Sequence, residues 1–494
     1  MGYIEGTNRE QLTYWSLEDL VDDDSMVRVI DRFIDICDLE KLGFTRTQPS
    51  HTGRPGYAPK PLAKLYVYGY ENGVRSSRKL EKESKRNVEV MWLTESLAPD
   101  HKTIAEFRRL NIRPLQKLFR EFVKLCRSWE LVGGELIAVD GAKFKASNNK
   151  KANFSRKKLD DRLKRLDEKI ALYMDQLEEE DQKDQTDQTD SATTEGLREL
   201  LERKDLYEQY LAELNKTGDN ELSTTDPDAR LMGNNRSGVE MSYNVQSAVD
   251  SKHHIILDYD VSKNPSDQVQ LAKAAKRLLR LKFRRFSLLG DKGYYNGADL
   301  SKLKKFKVKA IVSRPKPSNP KNQPEQFHTQ QFAYDPTTDT FCCPNNETLP
   351  LRCRRSDGRN IYHNKKACAD CPHVTDCITG KSGYRIVTRN QYAKVCEEAD
   401  AWFKANQHLY QLRQQIVEHP FGTIKSSMNG GHFLLRTRRK VRAEVALLFL
   451  AYNLKRAVNV LGFVSIMERL DAIRGAFFAF LHRSLPFAFN RSLC

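Results

Sequence analysis

The chain has 494 residues, and its 82 Lys and Arg against 65 Asp and Glu give a formal net charge of +17. Its length leaves room for about two to four domains. The basic excess favours a polyanionic partner, nucleic acid before an acidic membrane, over a merely basic globular protein. The first residues lack the apolar core of a signal peptide, and no apolar run is long enough to cross a bilayer. We therefore expect a cytoplasmic protein without a membrane partner.

Residues 1–130 are predicted to form an all-helical N-terminal domain. Apolar residues recur at helical spacing from Leu17 to Cys37. Two basic stretches follow, RSSRKLEKESKRN (75–87) and DHKTIAEFRRLN (100–111). They are interpreted either as solvated helix faces or as the surface of a DNA-binding module. On the second interpretation the DNA contacts include Arg78, Lys79, Arg108 and Arg109.

A first strand is predicted at ELIAVDG (135–141), where an apolar run ends at Asp140 and Gly141. Residues 150–217 then carry two leucine stripes separated by the polar stretch 178–194. This pattern is typical of two antiparallel helices joined by a flexible tip. We interpret it as a helical-hairpin insertion that serves interaction or spacing rather than chemistry.

The next segment has the pattern of a mixed α/β sheet. Two β-rich runs flank a turn at Asp250-Ser251-Lys252, which predicts a hairpin over 243–261. Helix and strand patterns then alternate: a helix at 266–282, a strand at 285–291, a helix at 297–306 and a strand at 308–314. The strand at 285–291 ends at Asp291, directly before a glycine turn. Residues 131–314 are therefore expected to form the first part of an α/β core.

Six of the ten cysteines lie between residues 342 and 377, in a turn-rich region expected to be an insertion over 315–395. In a cytoplasmic chain such clustering favours a metal site over disulfides. The spacing Cys368-x2-Cys371 is typical of zinc ligands. Reduced, partly buried thiols are the competing interpretation.

Residues 396–465 are predicted to be helical again, and residues 466–494 to form a C-terminal tail. Glu418 lies on one of these helices, with Arg413 upstream and Lys425 downstream. Pro420 is compatible with such a helix if it begins a turn or makes a kink.

Three carboxylates, two at predicted strand ends and one on a helix, suit phosphoryl transfer on DNA. Two Mg²⁺ ions about 3.5–4 Å apart can activate the attacking oxygen and stabilise the leaving one. Mg²⁺ prefers hard oxygen ligands. We predict that Asp140, Asp291 and Glu418 hold Mg²⁺ or Mn²⁺ and are catalytic. Arg413 and Lys425 would bind the phosphodiester backbone.

Other acidic residues of these segments are given structural roles. Asp250 is assigned to its hairpin turn, and Asp226 and Asp228 to a TDPD turn that could contact DNA. Asp267 and Asp299 are interpreted as helix N-terminal residues.

Several segments, in the same order, resemble the DDE-class transposases of bacterial insertion sequences, in the branch of the IS-four and IS-five-like elements. These segments are GRPGYAPKPLAKLYVYGYENGVRSSRKLEKE (53–83), LAPDHKTIAEFRR (97–109), IAVDGAKFKA (137–146), TDPDARLM (225–232), YNVQSAVD (243–250), GDKGYYNG (290–297), IVEHPFGTIK (416–425) and AYNLKRAVNVLG (451–462). Each segment is weakly specific alone, and together they are highly specific.

The resemblance implies a ribonuclease-H-like mixed-sheet catalytic core behind the helical N-terminal region. It places the acidic triad on Asp140, Asp291 and Glu418, and DNA contacts at Lys292 and Tyr294. A family pattern CP…CxxC…C is also matched, which implies a structural Zn²⁺. The implied zinc ligands are Cys343, Cys368, Cys371 and Cys377, with His363 or His373 able to replace one of them.

The function implied is that of a transposase on bacterial nucleoid DNA. It would bind the terminal inverted repeats of a mobile element as a homodimer on double-stranded DNA, cut the strands and join them to target DNA. The alternative is a domesticated, catalytically inactive DNA-binding derivative, against which the three acidic residues argue. A metal-dependent nuclease that cuts without joining is a third interpretation.

Overall fold

The N-terminal region is helical, as predicted. The computed structural model describes residues 10, 12, 14–49, 52, 55–183, 191–234, 238–316, 323–378 and 382–484. Its first helices are α1 (Met26–Ile36), α2 (Leu39–Leu42), α3 (Pro59–Glu71), α4 (Ser77–Glu83), α5 (Val88–Leu93), α6 (His101–Leu110) and α7 (Ile112–Ser128). Side-chain caps start several of them; Ser25 accepts the N–H of Val27, and Asp100 accepts those of Lys102 and Thr103.

The central region alternates strands and helices. Its strands are β1 (Leu136–Lys145), β2 (Asn153–Ser155), β3 (Glu221–Ser223), β4 (Arg230–Asn234), β5 (Gly238–Asp250), β6 (Ile256–Ser262), β7 (Ser287–Gly290) and β8 (Lys309–Val312). Its helices are α8 (Arg156–Lys183), α9 (Ser191–Thr217), α10 (Leu271–Arg280) and α11 (Gly297–Phe306). The hairpin predicted around Asp250 is confirmed, because β5 and β6 pair antiparallel.

One six-stranded sheet carries the strand order β4-β5-β1-β7-β8, with β6 also paired to β5. β5 runs antiparallel to β1, β4 and β6, whereas β7 runs parallel to both β1 and β8. This mixed sheet is consistent with the ribonuclease-H-like core implied by the resemblance.

The helices α8 and α9 lie side by side over the segment predicted as a hairpin. Phe154, Leu159 and Leu214 form a small buried cluster at their base, and Lys204 pairs with Asp167 at 2.7 Å. The helices extend to Lys183 and from Ser191, so the predicted flexible tip is wrong for the ends of the stretch 178–194. Residues 184–190 of that tip lie outside the described residues.

The cysteine-rich region contains a second sheet that the sequence did not predict. Its strands are β9 (Ala333–Asp335), β10 (Thr340–Cys342), β11 (Thr348–Arg354), β12 (Arg359–Tyr362) and β13 (Val387–Asn390). Two short helices, α12 (Lys365–Ala369) and α13 (Val374–Cys377), lie between β12 and β13 along the chain. All neighbouring strands pair antiparallel in the order β13-β12-β11-β10-β9. Phe341, Leu349 and Tyr362 belong to a separate small core under this sheet.

Up to Ser484, where the described residues end, four more helices follow: α14 (Ala393–Ala405), α15 (Gln407–Ser426), α16 (Arg438–Leu461) and α17 (Phe463–Ser484). Pro420 lies inside α15. The predicted C-terminal tail is helical as far as Ser484, and Asp471 of α17 pairs with Arg32 of α1 at 3.0 Å. Residues 485–494 lie outside the described residues.

Helix α16 joins the N-terminal helices to the central sheet. Its Phe449 packs against Phe119 of α7 and Tyr259 of β6, and Glu444 pairs with the buried Arg75 at 3.2 Å. One apolar core therefore runs from α1 to the sheet. Within the described ranges, no single helix is long and apolar enough to span a membrane. One pair of consecutive helical segments, Arg438–Leu461 and Phe463–Gly475, reaches that length and composition together, with a bend of 112° between them.

Candidate active site

Asp140 and Asp291 are brought together by the parallel pairing of two strands. The sequence predicted Asp140 at the end of β1. The residue lies inside the strand instead, because β1 continues to Lys145 along β5. Ala138 of β1 is opposite Leu289 of β7. Asp140 and Asp291 each follow that pair by two residues, so the pairing of β1 with β7 brings them near each other, and the charge of Asp291 acts on the pKa of Asp140.

Asp291 combines a turn role with its place in the site. It is the first residue after β7, and its carboxylate accepts the N–H of Gly293 at 2.8 Å. This bond caps the short 3-10 helix Lys292–Tyr294. The turn Asp291-Lys292-Gly293 therefore fixes the carboxylate of Asp291 at the edge of the sheet.

The charge state of Asp140 is set by burial and by its neighbours. Burial raises the pKa of Asp140 to about 7; the nearby Arg413 opposes this shift, whereas Asp291 and Asp267 add to it. Nη1 of Arg413 lies 3.8 Å from Oδ1 of Asp140. The structure therefore places the predicted basic residue beside the first predicted acid.

Asp267 joins these carboxylates, and its predicted role as a helix N-terminal residue is wrong. It precedes α10 by several residues, and Gln270 holds the position before that helix. Oδ1 of Asp267 accepts hydrogen bonds from Asn244 Nδ2 at 2.8 Å and from Gln246 Nε2 at 2.7 Å. A signal for this cluster was present in YNVQ (243–246), because strand alternation puts two amides on one face of a buried strand.

Lys143 lies near the three aspartates. Lys143 Nζ donates to the carbonyl of Pro265 at 2.6 Å and lies 3.9 Å from Oδ1 of Asp267. Burial lowers the pKa of Lys143, and the charges of Asp267, Asp140 and Asp291 act against that shift. Sequence analysis did not select Lys143, although it follows Asp140 on the same strand.

Gly141 is required by this close packing. A Cβ at Gly141 would overlap the amide nitrogen of Gln246 and the carboxylate of Asp267, and it would lie 2.8 Å from Oδ1 of Asn244. The glycine after Asp140 therefore makes room for a polar network, rather than ending a strand as its sequence suggested.

The predicted DNA contact at Tyr294 is wrong, because the ring lies in the core with 1% of its surface exposed. Its hydroxyl donates to Oε1 of Gln246 at 2.5 Å. Tyr294 thus ties the turn after Asp291 to β5 and to the amides that bind Asp267. Lys292, the other contact predicted in this turn, is exposed.

Helix α15 lies on β1 with Glu418 between two anchoring cations. Arg413 meets Asp140, and Lys425 Nζ donates to the carbonyl of Lys143 at 3.1 Å. Glu418 is exposed, and its Oε1 accepts a hydrogen bond from Gln414 at 2.9 Å. Among the residues that the structure describes, no group of three or more His, Cys, Asp or Glu is arranged to hold a metal ion. The structure thus pairs the two aspartates without bringing Glu418 into one ligand set with them.

The four cations predicted to bind DNA from the N-terminal region differ in exposure. Arg78 and Lys79 are exposed. Arg109 is exposed but forms hydrogen bonds of 2.8 and 2.6 Å to Glu106 of its own helix. Arg108 is half-buried over the ring of Tyr66, 5.5 Å from its centroid. The predicted role of Arg108 as a DNA contact is therefore wrong.

The four cysteines selected for zinc line one small cavity. Cys343, Cys368, Cys371 and Cys377 meet there beside Phe327 and Phe332. Burial raises the pKa of Cys377, Arg385 opposes this, and the other three thiols add to it. The N–H of Glu347 donates to Sγ of Cys343 at 3.3 Å. His363 lies outside this cavity and packs on Tyr384 instead.

Two family models match the chain. One is described as a transposase domain (DUF772) and covers residues 15–110; the other is described as a transposase DDE domain and covers residues 221–454. With a helical N-terminal region and a mixed α/β core, these matches define a transposase. The chain belongs to the DDE-class transposases. The second matched range contains Asp291 and Glu418, whereas Asp140 lies before it.

Two further comparisons add little. A search of curated proteins found no match. Among solved structures, the chain is similar to the cryo-EM structure of a piggyBac transposase synaptic complex with hairpin DNA, at 10% sequence identity and a TM-score of 0.33. That alignment covers 94% of this chain and 83% of the other. A TM-score of this size carries no argument about the site.

Proposed function

We propose that the protein is an active transposase that cuts the ends of a mobile DNA element and joins them to target DNA. The observation that carries this proposal is the proximity of Asp140 and Asp291, which each follow the parallel pair Ala138 and Leu289 by two residues and interact electrostatically. Asp140, Asp291 and Glu418 are its catalytic carboxylates. A domesticated, inactive derivative would have no use for two neighbouring acids that destabilise the fold.

Mg²⁺ or Mn²⁺ fits the paired aspartates by charge and by donor chemistry. Burial, and to a lesser extent the charge of Asp291, raises the pKa of Asp140, and a cation bound by both carboxylates would offset both effects. Both side chains offer the hard oxygen ligands that these ions prefer. When bound, such ions supply positive charge at a reacting phosphate. Glu418 would complete the ligand set from α15 once DNA and metal are bound.

The basic residues of the site have separable roles in this proposal. Arg413 holds Asp140 in place and presents its remaining N–H groups to a phosphate of the substrate strand. Lys425 anchors the end of α15 to β1 through the carbonyl of Lys143. Lys292 is exposed beside Asp291, where it would contact the backbone of the strand that is cut.

The cysteine cavity is proposed to bind one structural Zn²⁺. Four thiols line one small cavity and are the donor type of a Cys₄ site, although the described residues do not yet have the arrangement of a metal site and would have to close around the ion. The hydrogen bond from the N–H of Glu347 to Sγ of Cys343 would stabilise a thiolate. Such an ion would tie β10 and β11 to α12 and α13. Its role would be structural, because Cys343 and Cys377 pack against the separate small core of the second sheet.

Double-stranded DNA bearing the terminal inverted repeats is the proposed substrate, and a homodimer assembled on two ends is the proposed active form. The test uses inverted repeats found next to the reading frame, carried on a labelled duplex and mixed with target plasmid. Mg²⁺-dependent cleavage and joined products support the proposal. Cleavage without joining would instead identify a nuclease, and binding without cleavage would identify an inactive derivative.

A further inference from the structure

A basic stripe runs along the solvent-exposed face of α7. Its members are Arg113, Lys117, Arg120, Lys124 and Arg127, all of which are exposed. They recur every three or four residues, so they share one helix face. The opposite face carries the buried residues Leu115, Leu118, Phe119, Phe122 and Cys126.

Acidic neighbours neutralise little of this stripe. Within the described part of the chain, its one ion pair joins the exposed Lys124 to the half-buried Glu121 at 2.8 Å, and such a surface pair is weak. Lys117 donates to the carbonyl of Leu42 at 2.7 Å, and Arg127 to the carbonyl of Leu281 at 3.2 Å. Carbonyl partners leave the positive charge in place.

Two open clefts extend the stripe at both ends of the helix. At the N-terminal end, Arg113 faces Lys263, Arg438, Arg439 and Arg442 across a cleft of about 540 Å³. At the other end, the remaining four cations face Arg280 and Lys282 across a cleft of about 520 Å³. Each cleft is lined by one acidic residue, Asp228 in the first and Glu121 in the second.

The first cleft adjoins the carboxylate cluster. Lys263 is followed directly by Asn264 and Pro265, whose carbonyls accept hydrogen bonds from Asn244 at 3.2 Å and from Lys143 at 2.6 Å. Those two side chains contact Asp267. A polyanion lying in this cleft would therefore continue toward the paired aspartates.

We propose that the α7 stripe and its two clefts, together the α7 groove, bind the phosphate backbone of duplex DNA outside the cleavage site. This inference rests on the proposed function, which supplies DNA as the polyanion. From Arg113 to Arg127 the helix rises about 21 Å, which matches about six base pairs of duplex. The groove belongs both to the N-terminal helices and to the central region, so it would hold DNA across both.

The test compares two variants that each lose three positive charges. The groove variant carries Arg113→Gln, Arg120→Gln and Lys124→Gln. The control carries Lys164→Gln, Arg165→Gln and Lys169→Gln, exposed positions of α8 where Asp160, Asp161, Asp167 and Glu168 interleave with the bases. Affinity for a labelled duplex of arbitrary sequence is measured by fluorescence anisotropy at several KCl concentrations, and the melting temperature of each variant is recorded.

The groove variant is expected to bind duplex at least tenfold more weakly than wild type. The slope of log affinity against log salt should fall by about two to three, since each lost phosphate contact removes about 0.9. The control variant should bind as wild type does. If the triple variant unfolds, the single changes Arg113→Gln and Arg120→Gln are used, each with an expected slope change of about 0.9.

Wild-type affinity and slope in a folded groove variant would overturn this inference and leave the proposed function standing. Failure of the wild-type protein to bind any duplex would instead overturn the proposed function. Anionic vesicles and single-stranded RNA serve as further probes. Loss of binding to one of these, with duplex binding intact, would assign the groove to another polyanion and also overturn the inference.

Discussion

Asp140 and Asp291 lie near each other because β1 and β7 run parallel, and each aspartate follows the opposed residues Ala138 and Leu289 by two positions. The strand β1 positions Asp140, and the turn that Asp291 caps positions the second carboxylate. Burial and the charge of Asp291 together hold the pKa of Asp140 near 7. The pair is destabilising in the metal-free chain, which is the usual condition of a site prepared for a cation.

Replacing Asp140 by Asn should stabilise the metal-free protein at high pH. The pKa of Asp140 is raised to about 7 in the folded chain, against about 3.9 in an unfolded one. As pH rises through this window the unfolded chain has lost the proton that the folded chain retains, so the free energy of unfolding falls. In EDTA at pH 8 the variant should exceed wild type by about 1–3 kcal/mol, and near pH 4 the two should be equal.

Urea denaturation at both pH values measures this difference. The control is Asp24→Asn at an exposed position. Its free energy of unfolding should match that of wild type at both pH values. Equal stability of Asp140→Asn and wild type at pH 8 would contradict the charge repulsion inferred at the site.

Replacing Gly141 by Ala should damage the site through steric overlap. The added methyl group would meet the amide of Gln246 and the carboxylate of Asp267. Overpacking of this kind costs about 1–3 kcal/mol of unfolding free energy, and DNA cleavage should fall sharply because the network beside Asp140 must shift. Gly233→Ala in β4 is the matched control, since a Cβ there meets nothing within 4 Å.

Thermal unfolding and cleavage of the terminal-repeat duplex give the two readouts. A Gly141→Ala protein that is as stable and as active as Gly233→Ala would show that the close approach is unimportant.

Replacing Cys371 by Ser should remove the proposed zinc. The side chain lies in the four-thiol cavity, and loss of one ligand weakens binding steeply. Elemental analysis of purified protein should give about one zinc per chain for wild type and much less for the variant. Cys353→Ser is the control, because Cys353 is exposed and outside the cavity. Zinc-free wild-type protein that is folded and active would end this proposal.

Sequence patterns predicted the order of the elements around the site better than its geometry. Strand β7 covers Ser287–Gly290 within the predicted strand 285–291, so Asp291 follows the strand directly, and α11 begins at Gly297 as the helical spacing indicated. Asp140 was misplaced because an Asp-Gly pair usually marks a turn. Here the glycine serves a lateral contact with Gln246, which no local pattern reveals.

The DNA-binding surface proposed on α7 differs from the surface that local charge density predicted. Several cations of the basic stretch 75–87 form ion pairs with acidic residues of the protein, such as Arg75 with Glu444 and Lys85 with Glu81. The cations of α7 alternate with core residues along the sequence, and they lie on one face only once the helix has formed. The strands of the cysteine-rich sheet escaped notice because β9 and β10 are three residues long.

Glu418 is where sequence and structure stand furthest apart. The sequence makes it the third carboxylate, whereas the side chain is exposed and bonded to Gln414. Its helix is already anchored at Asp140 and beside Lys143.

The most direct test of the catalytic assignment is strand cleavage by Asp291→Asn and Glu418→Gln. Each purified variant is incubated in Mg²⁺ with a labelled terminal-repeat duplex, beside the exposed-site controls Asp24→Asn and Glu135→Gln. Both substitutions keep the shape of the side chain and remove its charge, so duplex affinity should persist while cleavage falls by about two orders of magnitude or more. Cleavage at the rate of the controls by either variant would contradict the assignment.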